Sequence, residues 1–268
     1  MRVAVLGSGS RGNAIALTSR GRTVLVDAGF GPRTLARRAE EVGVDLTQLE
    51  AVVLTHEHGD HARGAAAAAT RARCPLYGSA GTLAALLPKL EGVGAVPLPT
   101  HQTVSAGPFL LRACRTSHDA REPVALLVGD PASGEQVGIA YDLGRPTVQV
   151  RYLLRAATCL ILEANHDDLL LRTGPYPAAV RERIAGPGGH LSNRQAAELL
   201  DELWHPGLHT VVLAHLSDRC NEPALASAAV EATLRRRGYR GKVLVAEQNA
   251  PLIPFEVRAE QFALDGLD

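Results

Sequence analysis

The chain has 268 residues, 46 % of them hydrophobic and 21 % charged, with 28 basic and 28 acidic side chains. That balance describes a soluble globular protein with material for a substantial core, and it excludes disordered and fibrous chains. A formal net charge of zero gives no global pull toward nucleic acid or membranes, although a local patch suffices for either.

Short β-type runs open the chain at residues 3–6, 14–18 and 23–26, separated by the glycine and serine clusters that tight turns require. A helical pattern at 33–42 leads to a strand at 51–55, and 62–73 reads as an alanine-rich helix. Further strands are expected at 74–77, 109–114, 124–128, 137–141 and 158–162. The later chain is more helical, at 177–184, 193–203 and 223–237, with buried strands at 211–214 and 243–246. Ser192 and Gln195 form a capping box before the middle helix of these three. No repeat or linker-like stretch interrupts the pattern, so a layered α/β sandwich in one domain over 1–268 is expected.

Only Lys89 and Lys242 among the basic residues are lysines, and this arginine excess reads as compositional bias before function. Cys74, Cys114, Cys159 and Cys220 form no C-x-x-C pair, which argues against a cysteine zinc site and fits buried thiols of a reducing compartment. No run approaches 18 apolar residues and no signal-peptide pattern opens the chain, so a cytoplasmic protein without a membrane span is expected.

The informative segment is Thr55-His56-Glu57-His58-Gly59-Asp60-His61, at the junction of a buried strand and a helix. His56 and His58 are two apart in an extended stretch, so they project to one side and can share a metal ion. Gly59 permits a turn that swings Asp60 and His61 toward a second position. Three imidazoles and a carboxylate suit zinc, manganese or iron better than calcium. Further ligands stand where apolar strands give way to polar loops: His118, Asp142 and His215.

These motifs, in this order, resemble the metallo-β-lactamase superfamily. The closer likeness is to the YycJ/WalJ branch, related to ribonuclease Z-type nucleases. It is carried by Ser8-Gly9-Ser10-Arg11-Gly12-Asn13, Asp27-Ala28-Gly29, Ser117-His118-Asp119-Ala120 and Leu162-Glu163-Ala164-Asn165-His166-Asp167. Gly189-His190-Leu191-Ser192-Asn193 and His215-Leu216-Ser217, with Asn221 and Pro223, complete it.

The resemblance implies a four-layer αββα sandwich and a two-metal site. His56, His58 and His118 would hold one ion, Asp60, His61 and His215 the other, and Asp142 would bridge them. The implied activity is a 5′→3′ exodeoxyribonuclease acting through a metal-bridged hydroxide that Asp60 also orients. His190 is the candidate general acid and Glu163 the carboxylate that orients it. Ser8, Ser10, Asn13, Ser192, Asn193 and Ser217 are candidate phosphate or substrate contacts, and His166 and Asp167 candidate supports behind the ligands. Ser192, Asn193 and Ser217 suit helix caps or turns equally well.

Two divalent cations (zinc or manganese, with iron also suited) and a DNA substrate follow, with RNA and a homo-oligomer left open. Hydrolases of lactones, thioesters or β-lactams use the same metal chemistry, so the motif alone also leaves a small-molecule carbonyl-ester hydrolase open. A di-iron redox site would recruit a glutamate such as Glu57. Arg33, Arg37 and Arg38 are candidates for one basic surface and Arg235, Arg236, Arg237 and Arg240 for another, although a run such as the second is more often a solvated helix end.

Overall fold

The computed structural model of the chain describes residues 1–258. Two seven-stranded sheets carry the fold. The first is built from β1 (Arg2–Gly7), β2 (Ala14–Ser19), β3 (Arg22–Val26), β4 (Leu49–Val53), β5 (Leu76–Gly78) and β6 (Ala95–Pro97) in sequence order. The second runs β7 (Val104–Ala106), β8 (Phe109–Arg115), β9 (Val124–Asp130), β10 (Glu135–Ala140), β11 (Cys159–Glu163), β12 (Thr210–Ala214) and β13 (Lys242–Val245). β14 (Phe255–Glu256) returns to pair with β1.

Three apolar clusters separate four layers. Along β1, Val3 and Val5 enter the cluster shared by both sheets, whereas Ala4 and Leu6 face the helices α1 (Pro32–Glu41), α3 (Ala65–Ala72) and α4 (Ala80–Leu86). Along β12, Val212 and Ala214 face the other sheet, while Val211 and Leu213 pack under α5 (Val148–Leu154), α8 (Asn193–Leu203) and α9 (Pro223–Arg236). This period-two alternation, with both faces apolar, is what central strands of a covered sheet require. The αββα sandwich is therefore the architecture.

Strand directions decide where the site lies. β1 and β3 are each antiparallel to β2, and β4 is parallel to β3, so β1, β3 and β4 all end at one edge of the first sheet. β8 and β10 are each antiparallel to β9, and β10, β11 and β12 run parallel, so these four also share an exit edge. The motifs at Ser8, Asp27, His56, His118, Asp142, Glu163 and His215 stand at these ends, and the one at His190 lies instead between α7 (Ala178–Ala185) and α8. At the opposite edge the sheets are tied by Asp130, at the end of β9, which accepts hydrogen bonds from Ser19 Oγ (2.5 Å) and Arg20 Nη2 (2.8 Å) at the end of β2.

The helix expected at 62–73 starts only at Ala65, as α3, and a separate single turn, α2 (Gly59–Ala62), precedes it. Gly64 forms the break, because a Cβ there would fall 2.3 Å from the Phe30 carbonyl oxygen. α5 and the short α6 (Asp168–Thr173) and α7 (Ala178–Ala185) complete the helices. Arg38 is no surface residue: its buried guanidinium donates to the carbonyls of Leu6 and Gln248, both at 2.9 Å, and lies 4.1 Å over the Phe30 ring.

Candidate metal centre

Six of the ten histidines gather where the two exit edges meet, with neighbouring ring centroids 4.1–5.9 Å apart. His56 and His58 leave β4, and Asp60 and His61 sit on α2. His118 follows β8, Asp142 follows β10 and His215 follows β12. Ligand-capable atoms of His56, His58 and His118 lie within 4.8 Å of one another, as do those of Asp60, His61 and His215. Asp142 stands between the two groups: its Oδ2 is 2.7 Å from His61 Nε2 and 3.8 Å from His56 Nε2, and its Oδ1 is 3.8 Å from His118 Nε2.

The imidazoles are held by one repeated device. His61 Nδ1 donates to Asp27 Oδ2 (2.7 Å), His118 Nδ1 to the Gly189 carbonyl (3.1 Å), and His215 Nδ1 to Glu163 Oε1 (3.1 Å). His56 Nδ1 donates to Thr55 Oγ1 (3.1 Å), whose own hydrogen goes to Asp27 Oδ2 (2.7 Å). With Nδ1 occupied in all four rings, Nε2 is the nitrogen left with a lone pair, the usual way a protein sets the tautomer of a ligating histidine.

The donor set fits divalent cations. His56 Nε2 and His215 Nε2 are buried and have no hydrogen-bond partner, a costly state for polar atoms unless a cation satisfies them. Burial opposes charge on Asp142, but the imidazoles of His215 and His61 outweigh it and hold the carboxyl well below its usual range. Burial likewise opposes a proton on His215, yet Asp142, Asp60 and Glu163 push it up to about 9. His56 is held well below the usual imidazole value by burial and by His61, so it stays neutral and ligand-competent. Protons and metal ions compete for such a field.

Strain marks the same edge. Asp27, Asp142 and His215 have φ of +56°, +51° and +54°, three of the five non-glycine residues with positive φ among the described residues. Each immediately follows a strand or lies two residues past it, where the left-handed turn redirects the side chain into the junction. Close packing completes the frame: a Cβ on Gly29 would fall 1.6 Å from the Asp60 carbonyl oxygen.

Glu163, the last residue of β11, is fully buried and gathers three loops. It accepts from the amides of Asp142 (3.3 Å), Leu143 (3.0 Å) and Leu191 (2.9 Å), and Oε1 also takes His190 Nδ1 at 2.8 Å. Burial disfavours its charge, but His190 and His215 bring its carboxyl down to about 2. His190 keeps 18 % of its side chain exposed beside the cluster.

Several expected substrate contacts do other work. Ser8 is buried, donates to Asn13 Oδ1 (2.8 Å) and accepts from the His215 amide (2.9 Å). Asn13 Nδ2 reaches Gly9 O (3.1 Å) and His61 Nε2 (3.1 Å). Ser192 caps α8, Asn193 exchanges side-chain hydrogen bonds with Asn221, and Ser217 Oγ accepts from the Arg219 and Cys220 amides. Asp167 caps α6. Buried small polar residues beside ligands thus shape the loops, and Ser10 alone of that set is exposed. His166 is buried behind the α8 cap, its carbonyl accepting from the Asn193 amide.

Sequence reasoning did not place Asp27, Thr55 and Tyr141 in the site. Tyr141 Oη, from the second sheet, donates to Asp27 Oδ2 at 2.7 Å. The signal for Asp27 was an acid at the end of an apolar strand, two residues before a glycine. Glu57 stands outside the ligand groups and accepts from the Arg121 amide (2.6 Å), which removes the motive for a di-iron redox site.

This fold and its His/Asp cluster define a metallo-β-lactamase-type, metal-dependent hydrolase. A family model described as a beta-lactamase superfamily domain matches residues 22–216, well over half the chain, and the chain belongs to that family. It is 25 % identical over 265 residues to the exodeoxyribonuclease YycJ of Bacillus anthracis, covering 96 % of this chain and 98 % of that one. It is 29 % identical over 231 residues to the exodeoxyribonuclease WalJ of Streptococcus pneumoniae, covering 84 % and 85 %. The metallo-beta-lactamase fold protein YhfI of Bacillus subtilis superposes with a TM-score of 0.70 at 19 % identity, over 94 % of this chain and 98 % of that one. No helix of the described residues is long and apolar enough to cross a membrane.

Proposed function

We propose that the chain is a binuclear, metal-dependent phosphodiesterase that degrades DNA from its 5′ end. His56, His58 and His118 would hold one divalent cation, Asp60, His61 and His215 the other, with Asp142 shared. When bound, such ions supply Lewis acidity and a water acidic enough to attack a phosphate at neutral pH. The observation that carries the phosphodiesterase reading is the His190–Glu163 pair at the edge of this cluster. A departing sugar oxygen needs a proton, and His190 would give one as a doubly protonated ring. Glu163 accepts Nδ1–H, Glu163 and Asp142 push the imidazole up to about 10 against burial, and the second proton on Nε2 is the one for the leaving group. The curated relatives named as exodeoxyribonucleases support DNA as substrate. Ser10, exposed on the loop after β1, is the candidate contact for a terminal phosphate that remains free of structural hydrogen bonds among the described residues.

The test is digestion of 5′-phosphorylated and 5′-hydroxyl strands of DNA and RNA, with Mn²⁺ or Zn²⁺, beside a chelator control and the Asp60→Ala variant. Chelator-sensitive release of mononucleotides from 5′-phosphorylated DNA is the expected result. Metal-loaded protein that cleaves no strand but hydrolyses lactones or thioesters would replace this reading with the carbonyl-ester one.

A further inference from the structure

Four of the loops that carry the metal centre also carry an exposed arginine with no carboxylate partner among the described residues. Arg63 ends α2, two residues past His61. Arg121 lies three residues past His118, Arg145 three past Asp142, and Arg219 four past His215. Acids on the same loops are engaged elsewhere: Asp119 pairs with Arg183 (3.0 Å), Asp218 with Arg11 (3.0 Å), and Glu122 with Arg115 (3.7 Å). Arg11 and Arg183 thereby brace neighbouring loops, whereas Arg219 lies over the Tyr176 ring, 5.9 Å from its centroid, and none of the four pairs with a carboxylate among the described residues. In a chain rich in arginine the number of such residues decides nothing; their recurrence a few residues after successive buried ligands does.

We propose that Arg63, Arg121, Arg145 and Arg219 form an interface that holds the phosphate backbone of a nucleic-acid strand across the metal centre. The proposal rests on the phosphodiesterase reading above. A guanidinium offers a fixed fork of donors matched to a phosphate, and four of them stand on loops that each also carry a ligand-capable residue of the cluster. The one large exposed aromatic among the described residues is Tyr152, on α5, and the half-buried Tyr176 has its ring covered by Arg219. The strand is therefore gripped by its phosphates and not by base stacking, which makes binding indifferent to base sequence and steeply dependent on salt.

The experiment measures binding of a labelled, cleavage-resistant phosphorothioate oligodeoxynucleotide to Mn²⁺-loaded protein across a salt series, with initial rates on a natural strand in parallel. Arg155 and Arg240 supply the controls. They are exposed, lack carboxylate partners, and precede β11 and β13, whose parallel course puts them at the edge opposite Glu163 and His215. Replacing all four rim arginines by Gln should flatten the slope of log affinity against log salt by roughly 3, about 0.7 per arginine. KM should rise while bound metal and kcat hold, and Arg155→Gln with Arg240→Gln should change nothing. Single substitutions, each flattening the slope by its own share, serve if the quadruple variant folds poorly. Wild-type slope and KM in the variants, or equal losses in the controls, overturn the interface while strand cleavage leaves the phosphodiesterase reading standing. A wild-type protein that neither binds nor cleaves any strand removes both.

Discussion

Asp27 and His61 lie 34 positions apart in the chain and meet through an Oδ2–Nδ1 hydrogen bond of 2.7 Å. The same oxygen takes the Tyr141 phenol and the Thr55 hydroxyl, each at 2.7 Å, and the Thr55 amide reaches Oδ1 at 2.8 Å. One buried carboxylate thus governs a histidine from each ligand group, His61 directly and His56 through Thr55. It also joins the two sheets, since Tyr141 belongs to the second.

Asp27→Asn keeps the shape but places an amide where a charged acceptor was. The expected outcome is a fall in metal affinity of roughly 10- to 100-fold, the usual effect of losing the carboxylate behind a ligating histidine. Calorimetric titration of the metal-free protein with Zn²⁺ measures it, and unaltered affinity would show that His61 does not depend on Asp27.

Asp142 touches both ligand groups, so Asp142→Ala should cost bound metal and abolish turnover at neutral pH. Metal content by elemental analysis, taken with strand-cleavage rates, checks both halves. A metal-replete variant that turns over as the parent does would remove Asp142 from its shared position.

His190→Ala is expected to retain both metals and to slow strand cleavage by about 10² or more, because the proton for the departing oxygen is lost. An activated ester with a leaving group that needs no proton, such as a p-nitrophenyl phosphodiester, should be affected far less. Loss of metal on this substitution would instead make His190 a ligand.

Far from the metals, Asp130 ties the sheets through Ser19 and Arg20. Burial opposes its charge, but the Ser19 hydroxyl, the Ala132 amide and Arg20 overcome this and hold its carboxyl below the usual value. A carboxyl depressed by folding contributes stability above its unfolded pKa and loses it as pH falls through the folded one. Asp130→Asn should therefore cost about 1–2 kcal/mol near pH 7, and the gap to the parent should close on acidification below the Asp130 range. Urea denaturation at stepped pH reads this out; a gap independent of pH would mean the charge plays no part.

Much was legible in the chain before folding was considered. The H-x-H-x-D-H segment, the later His118, Asp142 and His215, and the strands that end at them are local patterns, because apolar runs and polar strand ends follow from neighbours in sequence. The capping box at Ser192 and Gln195 is local for the same reason and is present. What each buried polar residue does was settled only by distant partners. Ser8 and Asn13 look like a phosphate cradle in sequence, yet Ser8 meets the His215 amide 207 positions away and Asn13 reaches His61. Arg38 reads as surface charge until Leu6, Phe30 and Gln248 close around it. Asp27 has no visible role in the sequence beyond its motif until the fold brings Tyr141 to it. Sequence determines which side chains stand at strand ends; only the meeting of two sheet edges decides which are sealed in hydrogen bonds and which are left with a lone pair.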